Sequence, residues 1–200
     1  HPGEAKLVID AGNLVVAPGF IDAHSHSDLT LLIDGRARSA AKQGVTTQVV
    51  GNCGFSGAPV AQGREELFAA NIIGYQSGLK IDWLSFAEYL NKLRSSGLGT
   101  NVAPLVGHGT IRLAVMGHDS RHPSEKEMMS MRRLVKDAME AGAFGLSSGL
   151  MYPPGSNAEA NEVIELCEVA AEYGGIYSTH VRNEGSRLIE AVEEAIHISK

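Results

Sequence analysis

Five short apolar segments, each running into a glycine or polar turn and then a helix-like stretch, constrain this chain more than any other feature. They cover residues 19–24, 45–50, 101–106, 143–148 and 176–180. The stretches between them carry helix signals. Residues 34–43 stop at Gly44, and residues 64–72 form one more predicted helix. Ser85-Phe86-Ala87-Glu88 and Ser124-Glu125-Lys126-Glu127 are capping boxes that open helices to about Ser95 and Glu140, the second closing near Gly142. Asn157 is the predicted cap of a helix to Tyr173, stopped by Gly174, and a last helix runs from about Ser186 to Lys200. Short strands separated by helices must run parallel, because each connection has to cross back over the sheet.

Every polar candidate for chemistry falls at the C-terminal end of a predicted strand. An open doubly wound sheet gathers ligands at one switch point. A barrel of βα units gathers them at successive strand ends. The pattern therefore predicts an α/β fold, a partial TIM-like (β/α)8 barrel of about five βα units over residues 18–200. Lys6-Leu7-Val8-Ile9-Asp10 and Leu14-Val15-Val16 read as the end of a small β domain over residues 1–17. Five strands do not close a barrel and would leave raw sheet edges. With no initiator Met and a helix in progress at Lys200, the chain is expected to be an internal piece of a longer protein. Residues 57–78 are irregular, too long for an ordinary connection, and are expected to line the mouth of a site.

Charge narrows the partners. The net charge is −6 and Lys and Arg form no long run, which argues against nucleic acid. No apolar run reaches membrane-spanning length. Cys53 and Cys167 alone make no disulfide framework, so a reducing cytoplasm is the default setting.

His24 and His26 follow the first apolar run. On a strand, alternate residues share a face, so two imidazoles two apart point at one cation about 2.0–2.1 Å from each nitrogen. Cys53, in Gly51-Asn52-Cys53-Gly54 past the second strand, is either a small buried hydrophobe or a thiolate ligand. His180 ends the fifth strand with the same address as the histidine pair. His108 ends the third, where it either faces the pocket or fixes a neighbouring ligand or loop. Arg182 either clamps a substrate carboxylate or binds Glu184 or another loop. Cys167 sits among Ile164, Leu166, Val169 and Ala170 and reads as core, while His1, His118, His122 and His197 read as surface. Gly145-Leu146-Ser147-Ser148-Gly149 matches the Gly-x-Ser-x-Gly elbow of serine hydrolases, but Pro153-Pro154 follows where that motif needs a helix.

Pro18-Gly19-Phe20-Ile21-Asp22-Ala23-His24-Ser25-His26 resembles the first-strand signature of the amidohydrolase superfamily. Gly44-Val45-Thr46-Thr47, Gly51-Asn52-Cys53-Gly54, Val106-Gly107-His108-Gly109-Thr110, Gly145 to Pro154, and Thr179-His180-Val181-Arg182-Asn183-Glu184 narrow it to the N-acyl-D-amino-acid deacylases, the D-aminoacylases. That resemblance implies a metal-dependent hydrolase barrel that uses one or two Zn²⁺ to cleave the amide of a small N-acyl amino acid. It maps His24 and His26 to a weaker metal position. Cys53 and His180 map to a tight one, completed by a histidine of strand six. It implies that Tyr152 either approaches the substrate or packs on the rim. The proton shuttle is an aspartate ending strand eight, beyond this chain, so the stretch alone is expected to be inactive. The fourth strand lacks the bridging lysine of many relatives, which leaves a place for Cys53 and counts against the cyclic-amide hydrolases. A non-catalytic barrel homologue is the other alternative.

Overall fold

The computed structural model describes residues 5–76 and 78–200. Six strands are present among them: β1 (Phe20–Asp22), β2 (Val45–Val50), β3 (Asn101–Pro104), β4 (Val106–Gly107), β5 (Gly145–Gly149) and β6 (Ile176–His180). Every pairing is parallel, in two three-stranded sheets ordered β1-β2-β3 and β4-β5-β6. The predicted third strand is thus split at Leu105. The reason is local. Pro104 has no N–H to offer, its carbonyl accepts from Phe144 N–H at 2.8 Å, and Leu105 N–H donates to Val50 at 2.9 Å. Residues 101–107 therefore bond to β2 on one side and β5 on the other.

The first strand stops at Asp22, two residues earlier than expected, although Ser25 N–H still reaches the Val49 carbonyl at 3.0 Å. The predicted helix over residues 34–43 shortens to α2 (Arg38–Lys42), and a further short helix, α1 (Thr30–Ile33), precedes it where none was expected. The two are separated where Ala37 takes a left-handed φ of 46° and Gly35 passes so near the Ser96 carbonyl that an added Cβ would stand 2.5 Å from its oxygen. The helices α3 (Glu65–Asn71), α4 (Phe86–Ser95) and α6 (Glu125–Ala141) match their signals. Both capping boxes form, Ser85 with Glu88 and Ser124 with Glu127, and Gly142 caps α6 at φ 115°.

Helix α5 (His108–Met116) was not expected, because Gly107 and Gly109 read as loop. Helix α7 (Ala160–Glu172) begins after Glu159, while Asn157 lies in a short 3-10 turn (Gly155–Asn157). Helix α8 (Leu188–Ile198) ends before Lys200.

The larger of two apolar clusters lies between the sheets and the helices. Along α6 the buried residues Met131, Val135, Ala138 and Met139 repeat at helical spacing. They share that cluster with Val106, Leu146, Leu166 and Tyr89. The polar ends of two buried aromatics find partners: Tyr89 O–H donates to the Asp28 carbonyl at 3.0 Å, and Trp83 Nε1–H to Gly57 at 2.8 Å. Ile21 and Ile176 stay open on the sheets, as do Ile189 and Ile196 on α8. Residues 5–17 form no strand, and Leu7, Val8, Ile9, Leu14, Val15 and Val16 are exposed; residues 1–4, including His1, lie outside the described part. No helix among the described residues is long and apolar enough to cross a membrane.

Candidate metal centre

Three strand ends deliver one cluster. His24 and His26 occupy the turn after β1, with ring centroids 5.3 Å apart and planes at 74°. Cys53 lies in the turn after β2, and His180 is the last residue of β6. One ligand atom each of His24, His26 and Cys53 lies within 4.8 Å of the others. Cys53 Sγ is 3.3 Å from His24 Nε2 and 3.6 Å from His180 Nδ1. Tetrahedral zinc, with Zn–S about 2.3 Å and Zn–N about 2.0–2.1 Å, sets a sulfur and a nitrogen about 3.5 Å apart. Both spacings fit. A buried Nδ1 of His26 has no hydrogen-bond partner, an orphan that a cation would satisfy.

Protonation suits the same use. Burial, then the neighbouring His24 and His180, lowers the His26 pKa, so its ring is a neutral donor at pH 7. Burial, with Glu184 adding to it, pushes the Cys53 thiol up, so a metal has to displace its proton.

Buried polar groups orient the ligands. Asn52 sends its Nδ2–H groups to the carbonyls of Val49 (2.9 Å) and Ser25 (3.3 Å), while its Oδ1 accepts from Ser178 Oγ–H at 3.5 Å. One amide thus links the His24–His26 turn, β2 and β6. Gln48 Oε1 accepts from Ser27 (3.0 Å) and Ser25 (3.3 Å), and its Nε2–H reaches Thr100 at 2.8 Å. The carboxyl of buried Asp28 is pushed up to about 7 by burial, against the pull of backbone N–H groups of Gly51, Asp28 and Gly57. At His180 the far nitrogen, Nε2, lies 3.4 Å from both the Tyr152 hydroxyl and Glu184, which leaves Nδ1 turned to the thiol. The Tyr152 ring stacks edge-on against His180, 4.8 Å between centroids, and leans on Phe55 at 6.0 Å.

Two other sequence candidates do not join the cluster. His108 is the first residue of α5 and fully buried, its Nε2 2.8 Å from Glu162, which also pairs with Arg112. That contact holds its ring against α7. Arg182 bonds internally, to Glu194 (2.8–3.2 Å) and to the carbonyls of Ser156 (3.1 Å) and Ala158 (2.8 Å), and so ties loops together. Ser147 is buried in mid-strand with no helix after it, which removes the serine-nucleophile reading. Cys167 packs against both apolar clusters, its thiol pushed up to about 12 by burial first and Glu168 second. His118, His122 and His197 are exposed.

Sequence reasoning missed Asn52, Gln48 and Glu162. Asn52 stands in the quoted Gly-Asn-Cys-Gly motif, but its three partners are far apart in the chain. Gln48 and Glu162 carry no local signal.

Comparison with known proteins points to one family. The amidohydrolase family profile matches residues 7–196. D-aminoacylase of Alcaligenes xylosoxydans xylosoxydans is 42% identical over 196 residues, covering 98% of this chain and 40% of that protein. The N-acyl-D-glutamate deacylase of the same organism is 42% identical over 199 residues, covering 100% and 40%. A crystal structure of D-aminoacylase superposes with a TM-score of 0.80 at 39% identity, over 90% of this chain and 38% of that one. The N-acyl-D-glutamate deacylase of Bordetella bronchiseptica, complexed with zinc and a phosphonate inhibitor that mimics the tetrahedral intermediate, gives 0.79 at 38% identity, over 90% and 37%. The chain thus spans about 40% of the length of the curated relatives it matches. A profile match over nearly its whole length, on a scaffold that converges two histidines and a thiol, shows that the chain belongs to the amidohydrolase family.

Proposed function

We propose that the protein hydrolyses the amide bond of small N-acyl-D-amino acids, using Zn²⁺ held by His24, His26, Cys53 and His180. The observation that carries the reading is the thiol of Cys53, at zinc-ligand spacing from histidines on two other strand ends. It is supported by relatives that are a D-aminoacylase and N-acyl-D-aspartate and N-acyl-D-glutamate deacylases. Bound zinc supplies a water activated near pH 7 and a Lewis acid for the scissile carbonyl. The chain's own residues hold the metal and border the substrate. Neutral imidazoles and a thiolate hold the charge, Asn52 and Gln48 keep the first turn rigid, and Tyr152 borders the place where a substrate would lie beside His180.

In this reading β1–β6 are the first part of a (β/α)8 barrel. The open apolar positions Ile21, Ile176, Ile189 and Ile196 are where further units would pack, and the exposed apolar residues of 5–17 belong to a small β domain. Free thiols suit a reducing cytoplasm. Linear over cyclic amides is favoured by β5, Gly-Leu-Ser-Ser-Gly, which carries no lysine to bridge two metals.

The test uses the whole protein. It is expected to release D-amino acids from N-acetyl-D-substrates and not from the L-forms. Activity is expected to vanish on chelation and return with Zn²⁺. Cys53→Ala is expected to lose tightly bound zinc, and the metal-to-protein ratio of wild type decides between one and two ions. Chelator-resistant activity, or unchanged zinc in Cys53→Ala, overturns the assignment.

A further inference from the structure

Cys53 is one of three non-glycine residues among those described with a positive φ, at 55°. Left-handed backbone is unfavourable for an L-residue with no turn-forming side chain. It is flanked by Gly51 at 79° and Gly54 at 76°. Such a turn needs something to hold it, and one side chain grips both ends. The Ser147 hydroxyl, from the middle of β5, donates to the Gly51 carbonyl and accepts from the Gly54 N–H at 3.0 Å. Ser147 has no exposed surface, so no water can take over either bond.

We propose that Ser147 is a further positioning residue of the metal centre: its hydroxyl clamps residues 51–54 and so sets where the Cys53 sulfur stands. This rests on the zinc reading above and deepens it, because the Gly-x-Ser-x-Gly motif acquires a role that is not nucleophilic. The grip acts on backbone only. Without the hydroxyl, a buried carbonyl and a buried N–H lose their partners, and the turn is free to leave its left-handed state. The adjacent Ser148 is an internal control. It is equally buried but faces the other side of the strand, where it bonds the Tyr177 and Thr179 hydroxyls, each at 2.8 Å.

The experiment measures zinc affinity by chelator competition in the whole protein, for wild type, Ser147→Ala and Ser148→Ala. Loss of a group that orients a ligand costs about 10–100-fold in metal affinity. Ser147→Ala is expected to weaken zinc by that factor, with kcat restored by excess zinc and KM unchanged. Ser148→Ala is expected to lower thermal stability with zinc affinity unchanged. Wild-type affinity in Ser147→Ala, or equal loss in both variants, overturns the proposal. A wild type that binds no zinc defeats the underlying metal reading instead. If Ser147→Ala does not fold, amide exchange at Gly54 in the wild type decides the matter: protection is expected, and open-loop exchange overturns the clamp.

Discussion

Gly149→Ala offers a direct test of how tightly the Cys53 turn is held. Gly149 is not at a positive φ, so alanine brings no backbone strain there. The effect is steric. An added Cβ would stand 2.0 Å from the Cys53 carbonyl oxygen, 2.7 Å from its carbon and 3.2 Å from the Tyr152 ring. An ordinary contact needs about 3.4 Å, so the two backbones have to separate by about 1.4 Å. A metal site tolerates about ±0.2 Å in its ligand distances. The required shift is several times that, and it acts on two ligands at once, because Gly149 pairs with His180 in the sheet. Overpacking of this kind costs about 1–3 kcal/mol of stability. Gly149→Ala in the whole protein is therefore expected to melt earlier and to bind zinc at least about tenfold more weakly, read by competition titration and elemental analysis. Gly185→Ala is the control, since its Cβ meets nothing closer than Asn183 Oδ1 at 3.5 Å, and it is expected to bind zinc like wild type. Wild-type affinity in Gly149→Ala would refute the claim that this backbone contact sets the sulfur's position.

Two further predictions concern charge. Burial pushes the Glu162 carboxyl up, but hydrogen bonds and charge from His108 and Arg112 outweigh it and leave the group below its usual range. A depressed folded pKa contributes stability above the unfolded value near 4.5, which is lost as pH falls through the folded one. Chemical unfolding of Glu162→Gln is expected to show a loss of about 3–5 kcal/mol at pH 7, from stranding Arg112, and a flatter acid limb than wild type; parallel acid limbs would refute it. Because burial raises the Cys53 thiol, zinc has to displace its proton, and affinity is expected to rise about tenfold per pH unit between pH 6 and 8 for that one proton. A pH-independent affinity would mean that the sulfur is not a ligand.

What local chemistry controls was legible in the sequence. Ser85 and Ser124 announce α4 and α6 because a capping box closes within four residues. The strands β2 and β6 appear at their predicted bounds because a short apolar run ending in glycine or histidine has few other uses. His24, His26 and His180 could be named together because each stands at the end of a predicted strand, and parallel strands bring such ends to one edge; Cys53, three residues past β2, joined them through the Gly-Asn-Cys-Gly motif. What only the tertiary structure decided depends on partners far along the chain. Residues 101–107 divide at Pro104 because two different strands claim their hydrogen bonds. His108 and Arg182 are drawn away from the cluster by Glu162 and Glu194, carboxylates with no sequence signal linking them to it. The left-handed Cys53 is tolerated because Ser147 grips its turn from β5. Which residues collect at one edge follows from periodicity. Which of them are left free to bind a metal follows from how the remaining buried polar groups are satisfied, and that is a property of the packed whole.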